Sequence, residues 1–498
     1  MNSPEDLIFA LSGLYYRFAV VAQDGSTFSK IFADADDVAY YDGISNCVQE
    51  MHPSPLSEDE LLSIYKPFYQ TIASANDILQ RSEKIDTSDL EIRHLMGEVF
   101  FMRAYSYYWL VRVFGQIPII DNVDVNYSVK KSSFQEIYNF IITDLQKAIR
   151  LLPNSSNEAR IKYVTPHRGS AKALLAEVYL TGAGYPLKDT KMYASAAKLA
   201  GEVIDSADYF GYGLMTDLAD LWNVKHEVNQ ESVFSIYFNE IKPAWYDTNF
   251  YPVNYQPTGT IHSGQRMGWL ENPIAGINFF NSFPDGYRKD ITYQNRTFAT
   301  YSAPCVNDSL DPQNTYCPPP ITFYFHLDSI GPCNRMSFKK YYTNLDSFVV
   351  NINFYGNIYE GFFKNYGKVI YLLRYSHTLL TYAEAKARSG IADASAYEAV
   401  NQVRRRANKV DLFTPSVYDL KPGLTSEQFE DSVVCERAWE FCAEPEGRWF
   451  DLLRLEKVSK LSSLKYPGQG VLFPVTIDMA TYFWPIPKSD QMLDPYIQ

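Results

Sequence analysis

The stretch Gly97-Glu98-Val99-Phe100-Phe101-Met102-Arg103-Ala104-Tyr105-Ser106-Tyr107-Tyr108-Trp109-Leu110-Val111-Arg112-Val113-Phe114-Gly115-Gln116-Ile117-Pro118 decides how this chain is read. It is the most apolar helical segment in the sequence, yet it carries Arg103 and Arg112, and no run of 18 or more uninterrupted apolar residues occurs anywhere. A bilayer-spanning helix needs about 20 such residues, so this one reads as a helix of a protein core. It is predicted to run from Leu90 to Phe114 and to stop at Gly115, because glycine accepts the backbone geometry of a helix C-terminus.

Similar punctuation appears on both sides. Ser3 is a candidate N-cap with Pro4 at the first helical position and Asp6 three residues on, and Leu7, Leu11, Leu14 and Phe18 follow at helical spacing. Ser57 with Glu60, Ser88 with Glu91, and Ser133 with Glu136 repeat the Ser-x-x-Glu capping box. Pro67 should kink or split the second helix, since it lacks an amide donor and clashes with the preceding turn. A fourth helix is expected from Phe134 to Leu152, and a fifth from Thr165-Pro166 to Gly182-Ala183-Gly184. From about Phe210 to Gly367 helical periodicity fades and aromatic residues crowd with Asn, Gly and Pro, as in Trp245-Tyr246-Asp247-Thr248-Asn249-Phe250-Tyr251-Pro252-Val253-Asn254-Tyr255. This is loop and short-strand sequence. Helices should return at Val369 to Ser389, Ala394 to Ala407, Glu427 to Ala443 and Arg448 to Lys457. The expected organisation is an N-terminal helical part (1–209), an aromatic-rich loop insertion (210–367) and a C-terminal helical part (368–498) that packs with the first as one domain.

Composition excludes several function classes. Among 498 residues, 45 Lys+Arg stand against 58 Asp+Glu, for a net charge of −13. A protein that lives on phosphate contacts needs a basic stripe, so nucleic acid is not an expected partner. The seven histidines, at 52, 94, 167, 226, 262, 326 and 377, show no zinc-ligand spacing, and no P-loop, Cys-x-x-Cys or Gly-x-Ser-x-Gly elbow occurs. Neither a metal nor a cofactor is expected. Cys305, Cys317 and Cys333 could form one bridge or remain loop thiols, while Cys435 and Cys442 read as small core residues. Met1-Asn2-Ser3-Pro4-Glu5-Asp6 has neither a basic nor an apolar region, so a secretory signal is expected to be absent or already removed.

Several segments, in order, resemble the SusD/RagB family. They are Tyr65 with Ala75-Asn76; the quoted stretch from Gly97 to Pro118; Ala173-Leu174-Leu175-Ala176-Glu177-Val178-Tyr179-Leu180; Leu373-Arg374-Tyr375 with Tyr382-Ala383-Glu384-Ala385; Asn401 with Val403-Arg404 and Arg406-Ala407; Glu436-Arg437 with Glu440; Gly447-Arg448-Trp449-Phe450-Asp451-Leu452; and Trp484-Pro485-Ile486-Pro487 with Asp494-Pro495. Two departures, at His377 and at Pro445-Glu446, bear on helix packing more than on binding. The resemblance implies a mostly α fold in which a tetratricopeptide-like helical array, four helix pairs, supports irregular loops. It further implies a lipoprotein on the extracellular face of the Bacteroidetes outer membrane, serving polysaccharide utilisation. Such a protein binds an oligomeric nutrient, usually a glycan, and sits on a SusC-like TonB-dependent transporter. No lipid-bearing Cys stands near Met1, so the anchor is inferred from the resemblance.

The residue chemistry is compatible with carbohydrate. A sugar offers one apolar face and a rim of hydroxyls, and stacking it on an aromatic ring with about 60 Å² of apolar burial contributes roughly 1.5 kcal/mol. Hydrogen bonds from Asn, Gln, Arg and Asp then supply selectivity. The platform candidates are Trp245, Tyr246, Tyr251 and Tyr255 with Asn249, joined by Arg266 and Trp269; the alternative is that these rings pack the insertion onto the helices. A second candidate is the loop Asp34 to Asp42, with Asp36, Tyr40 and Tyr41, a segment that the resemblance places on the ligand face; otherwise it is a solvated acidic turn. An EF-hand starting at Asp34 fails, since Ala39 and Ser45 stand where Gly and Glu are required. Arg103, Arg112, Arg437 and Glu440 read as ion-pair and cap partners of the scaffold. The rival readings are a peptide-binding RagB-like protein, a glycoside hydrolase with two carboxylates in the insertion, and a helical scaffold that grips only proteins.

Overall fold

The first part of the chain consists of α1 (Pro4–Gln23), α2 (Glu58–Arg81), α3 (Leu90–Phe114), α4 (Phe134–Leu151), α5 (Arg168–Ala183) and α6 (Met192–Asp205). The computed structural model describes residues 3–23, 37–40, 57–82, 88–123, 129–223, 225–237, 274–294, 369–458 and 482–493, with short strand segments between 259 and 352. Capping sets most helix starts. Ser57 Oγ accepts from the Glu60 amide at 3.2 Å while the Glu60 carboxylate accepts from the Ser57 amide at 2.9 Å, and Ser133 and Glu136 repeat the exchange at 3.3 and 2.8 Å. At α3 the cap is Asp89 and not Ser88: its carboxylate, one residue closer, accepts from the Glu91 and Ile92 amides at 2.8 and 3.4 Å. At α5 the cap is His167, beyond the expected Thr165-Pro166, with Nδ1 accepting from the Gly169 amide at 3.1 Å. Burial pushes the pKa of His167 down to about 3, which keeps the ring neutral and able to accept.

Helix α2 also corrects the expectation at Pro67, because it runs unbroken from Glu58 to Arg81. Pro67 is buried beside Ile64, Phe68 and Ile72, and that packing offsets a helix penalty of about 3 kcal/mol. Helix α3 is buried on every side from Leu95 to Phe114 except at Phe100, as expected of a helix apolar around its whole circumference. The helices pack in succession, α1 on α2, α2 on α3, and so on to α6. Arg103 bonds the core of this array together. Its Nε and Nη2 donate to Asp144 of α4 at 2.7 and 2.9 Å, and its Nη1 donates to Asn76 of α2 at 2.7 Å.

Between α1 and α2 lies the short strand β1 (Ala39–Tyr40); after α6 come β2 (Ser232–Tyr237), β3 (Gly259–Thr260), β4 (Arg266–Met267) and β5 (Ile274–Ala275), the last of which pairs with β1. Two short helices, α7 (Ile277–Ser282) and α8 (Tyr287–Thr292), follow inside the insertion, where only loops and strands were expected. Farther on, Arg296–Tyr301 pairs antiparallel with Ile321–His326 and parallel with Asn351–Ile352. Then come β6 (Val369–Arg374), α9 (Tyr375–Arg388), α10 (Ala394–Ala407), α11 (Ser426–Glu440) and α12 (Arg448–Arg454).

Val369 to Arg374 was expected to open a helix and is instead a strand. It pairs antiparallel with β2, Val369 opposite Tyr237 and Ile370 opposite Ile236, and all six residues are buried. A short apolar run buried on both faces has no alternation to distinguish it from a helix. The pair closes the base of the insertion, and α9 then packs on α6, α10 and α11. The fold is mostly α, as expected. Cys442 is buried but Cys435 is exposed, which corrects its assignment to the core. Cys305, Cys317 and Cys333 lie outside the described residues. No helix among the described residues is long and apolar enough to cross a membrane.

One test follows from α3. A Cβ added at Gly97 would sit 2.8 Å from the Leu152 backbone nitrogen and 2.9 Å from its Cγ. Alanine gains about 1 kcal/mol of helix propensity, but moving backbone in a packed core costs about 1–3 kcal/mol. Gly97→Ala is therefore expected to lower the melting temperature in a thermal scan; an unchanged or raised value would contradict this packing.

Candidate ligand-binding face

The face is assembled on a buried set of charges around the end of α11. Arg374, at the end of β6, donates to Glu444 at 2.9 and 2.8 Å, to Glu231 at 2.6 Å and to Glu440 at 2.8 Å. Arg406 of α10 donates to Glu231 at 2.7 Å and also pairs with Glu440. Arg288 of α8 reaches Glu436 at 2.7 Å and Glu440 at 3.2 Å, and Arg404 reaches Glu436 at 3.0 Å. Burial pushes the Glu440 carboxyl pKa up, but the Arg406, Arg374 and Arg288 guanidiniums overcome it and hold the group well below the ordinary carboxylate range. A second cluster joins Arg437 to Glu177 and Asp451 at 2.9 and 2.8 Å, and Arg454 to Glu384 at 2.5 Å. Arg112 pairs with Glu446 and lies over the rings of Tyr108, Trp109 and Phe450 at 3.7, 4.6 and 4.2 Å. The four residues expected to serve the scaffold, Arg103, Arg112, Arg437 and Glu440, all do.

The turn after α11 carries these groups in a tight path. Ala443 has φ of 59°, and a Cβ at Gly447 would lie 2.8 Å from the Glu444 carbonyl oxygen and 2.9 Å from that of Phe441. Only glycine fits there without backbone movement. His377, one of the two departures, stacks on Phe441 at 3.5 Å with Nδ1 accepting from the Arg374 amide at 3.0 Å. Burial, Arg374 and Arg437 push its pKa well below the usual histidine value, so a neutral ring fills the space beside the guanidiniums.

The insertion is fixed to this core at its base. Besides Arg288, the Tyr287 hydroxyl donates to Asp217, which also takes Lys409 at 2.8 Å. Phe280 and Phe283 meet Tyr293 edge-on at 5.0 and 5.4 Å, and Phe283 lies 6.4 Å from Trp439 of α11. The remaining contact joins the candidate loop to the insertion. In β1 and β5, Ala39 stands opposite Ala275 and Tyr40 opposite Ile274, and the Gly276 amide donates to the Val38 carbonyl at 2.8 Å. Beside them, the buried Asp37 carboxylate accepts from Nε and Nη2 of Arg448 at 3.0 and 3.2 Å.

Of the residues nominated from sequence, the structure therefore places the backbone of Tyr40 against the insertion, and that of Arg266 on β4 opposite Thr260 of β3. Asp36, Tyr41, Trp245, Tyr246, Asn249, Tyr251, Tyr255 and Trp269 lie outside the described residues. Sequence reasoning missed Asp37, Gly276 and Arg448 as partners. Asp37 lies inside the nominated loop and Arg448 inside a quoted motif, but nothing in one dimension connects residues 411 positions apart.

Comparison with known proteins agrees with the architecture. Residues 16–180 match a family model described as "Starch-binding associating with outer membrane", and residues 331–498 match one described as "SusD family". The SusD-like protein P2 of Formosa agariphila is 25% identical over 468 residues, spanning 91% of this chain and 83% of that protein. A SusD homologue from Bacteroides thetaiotaomicron superposes with a TM-score of 0.78 at 24% identity, over 100% of this chain and 97% of that one. A structure solved with a xylogluco-oligosaccharide gives a TM-score of 0.69 at 18% identity, over 97% of both chains. The chain belongs to the SusD/RagB family.

The buried charges make stability depend on acid in a defined direction. The folded state holds Glu440 below its ordinary value of 4.5, so the unfolded chain takes the proton first. Its contribution is complete above about pH 4.5 and is lost as pH falls below that value. Glu440→Gln should lose about 3–5 kcal/mol at neutral pH, because it leaves guanidiniums uncompensated. Its melting temperature should also fall less steeply than that of the wild type between pH 5 and about pH 2.5. Equal slopes in calorimetric scans would remove Glu440 from this role.

Proposed function

We propose that the protein is a cell-surface glycan-binding protein, lipid-anchored on the extracellular face of the outer membrane. It captures an oligosaccharide without cleaving it and delivers the ligand to a SusC-like TonB-dependent transporter. In this reading residues 210–367 form the ligand-binding region, and 1–209 with 368–498 form one supporting domain. The observation that carries it is the pairing of Ala39–Tyr40, in the nominated loop, with Ile274–Ala275 of the insertion. The family description as starch-binding and outer-membrane-associated, and a structural neighbour solved with a xylogluco-oligosaccharide, support a glycan as the ligand class.

The chemistry of Glu440 and Asp451 suits a structural role in preference to a catalytic one. A glycosidase needs one carboxyl that keeps its proton near neutral pH. Glu440 and Asp451 are driven the other way, because burial raises each carboxyl but the neighbouring guanidiniums prevail. They are held as anions inside the helical support, where they fix geometry.

Titration calorimetry with malto-oligosaccharides, xylogluco-oligosaccharides and mixed oligopeptides tests the reading. Wild-type protein should bind a sugar, and Trp245→Ala and Trp269→Ala should each weaken binding about tenfold, the equivalent of one lost stack. No new reducing ends should appear on prolonged incubation. Binding of peptides with no sugar bound would replace the glycan with the RagB-like alternative, and release of reducing ends would overturn the non-enzymatic assignment.

A further inference from the structure

Among the described residues, the segment Val38–Tyr40 meets the insertion through a two-residue strand pair and the bond from Gly276 to Val38. A backbone hydrogen bond contributes about 1 kcal/mol net, and even an isolated hairpin is marginal in water. A strand pair of this length adds little register of its own. Asp37 and Arg448 add a directional contact beside it. The Asp37 side chain is 4% exposed and that of Arg448 14%, so the pair is shielded from solvent and its two-pronged contact is directional. Arg448 is in turn fixed from behind. It begins α12 immediately after the turn whose Glu444 is bound by Arg374 and whose Glu446 is bound by Arg112. Gly276 completes the fit, because a Cβ there would stand 2.4 Å from the Asp37 carbonyl oxygen.

We propose that Asp37 and Arg448 form a positioning latch that transmits the rigidity of the helical core to the ligand face. The latch holds Val38–Tyr40 against Ile274–Gly276, and so sets the spacing between the nominated loop and the insertion. Neither residue needs to touch ligand. The effect on affinity rests on the reading of this face as the ligand-binding one, whereas the effect on local order does not.

Two measurements separate these parts. In ligand-free protein, Asp37→Asn should speed amide hydrogen exchange at Gly276 more than tenfold and leave the amides of residues 99–111 unchanged. Arg448→Lys, which keeps the charge but loses the two-pronged geometry, should fall between it and the wild type. Affinity for a xylogluco-oligosaccharide, or for a malto-oligosaccharide if that is the probe the wild type binds, should drop in the same order, about tenfold for Asp37→Asn. A folded Asp37→Asn protein with wild-type exchange at Gly276 overturns the latch, and so does faster exchange with unchanged affinity. If Asp37→Asn does not fold, the same comparison on Arg448→Lys decides. A wild type that binds neither sugar defeats the glycan reading, while the exchange result still decides the latch.

Discussion

Arginine in a protein interior is stable only when its positive charge and its fork of donors are both answered, and this constraint organises the structure. Arg374 shows it most fully: wholly buried, it is bonded to Glu231, Glu440, Glu444 and the Ser376 hydroxyl. Glu231 precedes β2, Glu440 ends α11 and Glu444 lies in the following turn, so one side chain fixes elements far apart in sequence. Replacing one partner strands the others at a cost of several kcal/mol, which makes the set all-or-none. Hydrophobic burial gives the array its bulk, but it is non-directional. Directional charge pairs determine which element goes where.

The order of these charges along one segment is what connects support to surface. From Glu436 to Arg448 the chain presents Glu436, Glu440, Glu444, Glu446 and Arg448 in turn, and together they reach several parts of the molecule. Glu436 and Glu440 hold α8 at the base of the insertion through Arg288. Glu446 holds the central helix α3 through Arg112, and Arg448 holds the loop after α1 through Asp37. Pro445-Glu446, which interrupts the expected step, is thus a working part of the core: Tyr105 of α3 also donates to Glu446 at 2.8 Å. This segment is where the helical core, the base of the insertion and the loop after α1 are tied together.

Much of the helical support was legible in sequence because local chemistry specifies it. Ser57, Ser133, Pro4 and Gly115 act on their own helix ends, so reading them needs no tertiary knowledge. Errors arose where tertiary contacts decide. Asp89 displaced Ser88 as a cap, Pro67 was tolerated inside α2, and Val369–Arg374 became a strand because β2, more than 130 residues earlier, offered it a partner. Helix α6 was missed for a different reason: Lys191 precedes it with no side-chain cap, so no start signal exists. The platform was nominated from composition, aromatic rings among Asn and Gly, and its rings lie outside the described residues. Pairings such as Asp37 with Arg448 have no periodicity or spacing to betray them.

The antiparallel union of Ser232–Tyr237 with Val369–Arg374 brings the chain on either side of residues 238–368 together, about 5 Å apart. A loop whose exits are neighbours can lengthen, shorten or be rewritten while the supporting array registers no change in end-to-end distance. The fold thereby behaves as a socket with a replaceable head, in which the supporting array and the segment it carries are encoded by separate stretches of gene and are free to diversify at different speeds.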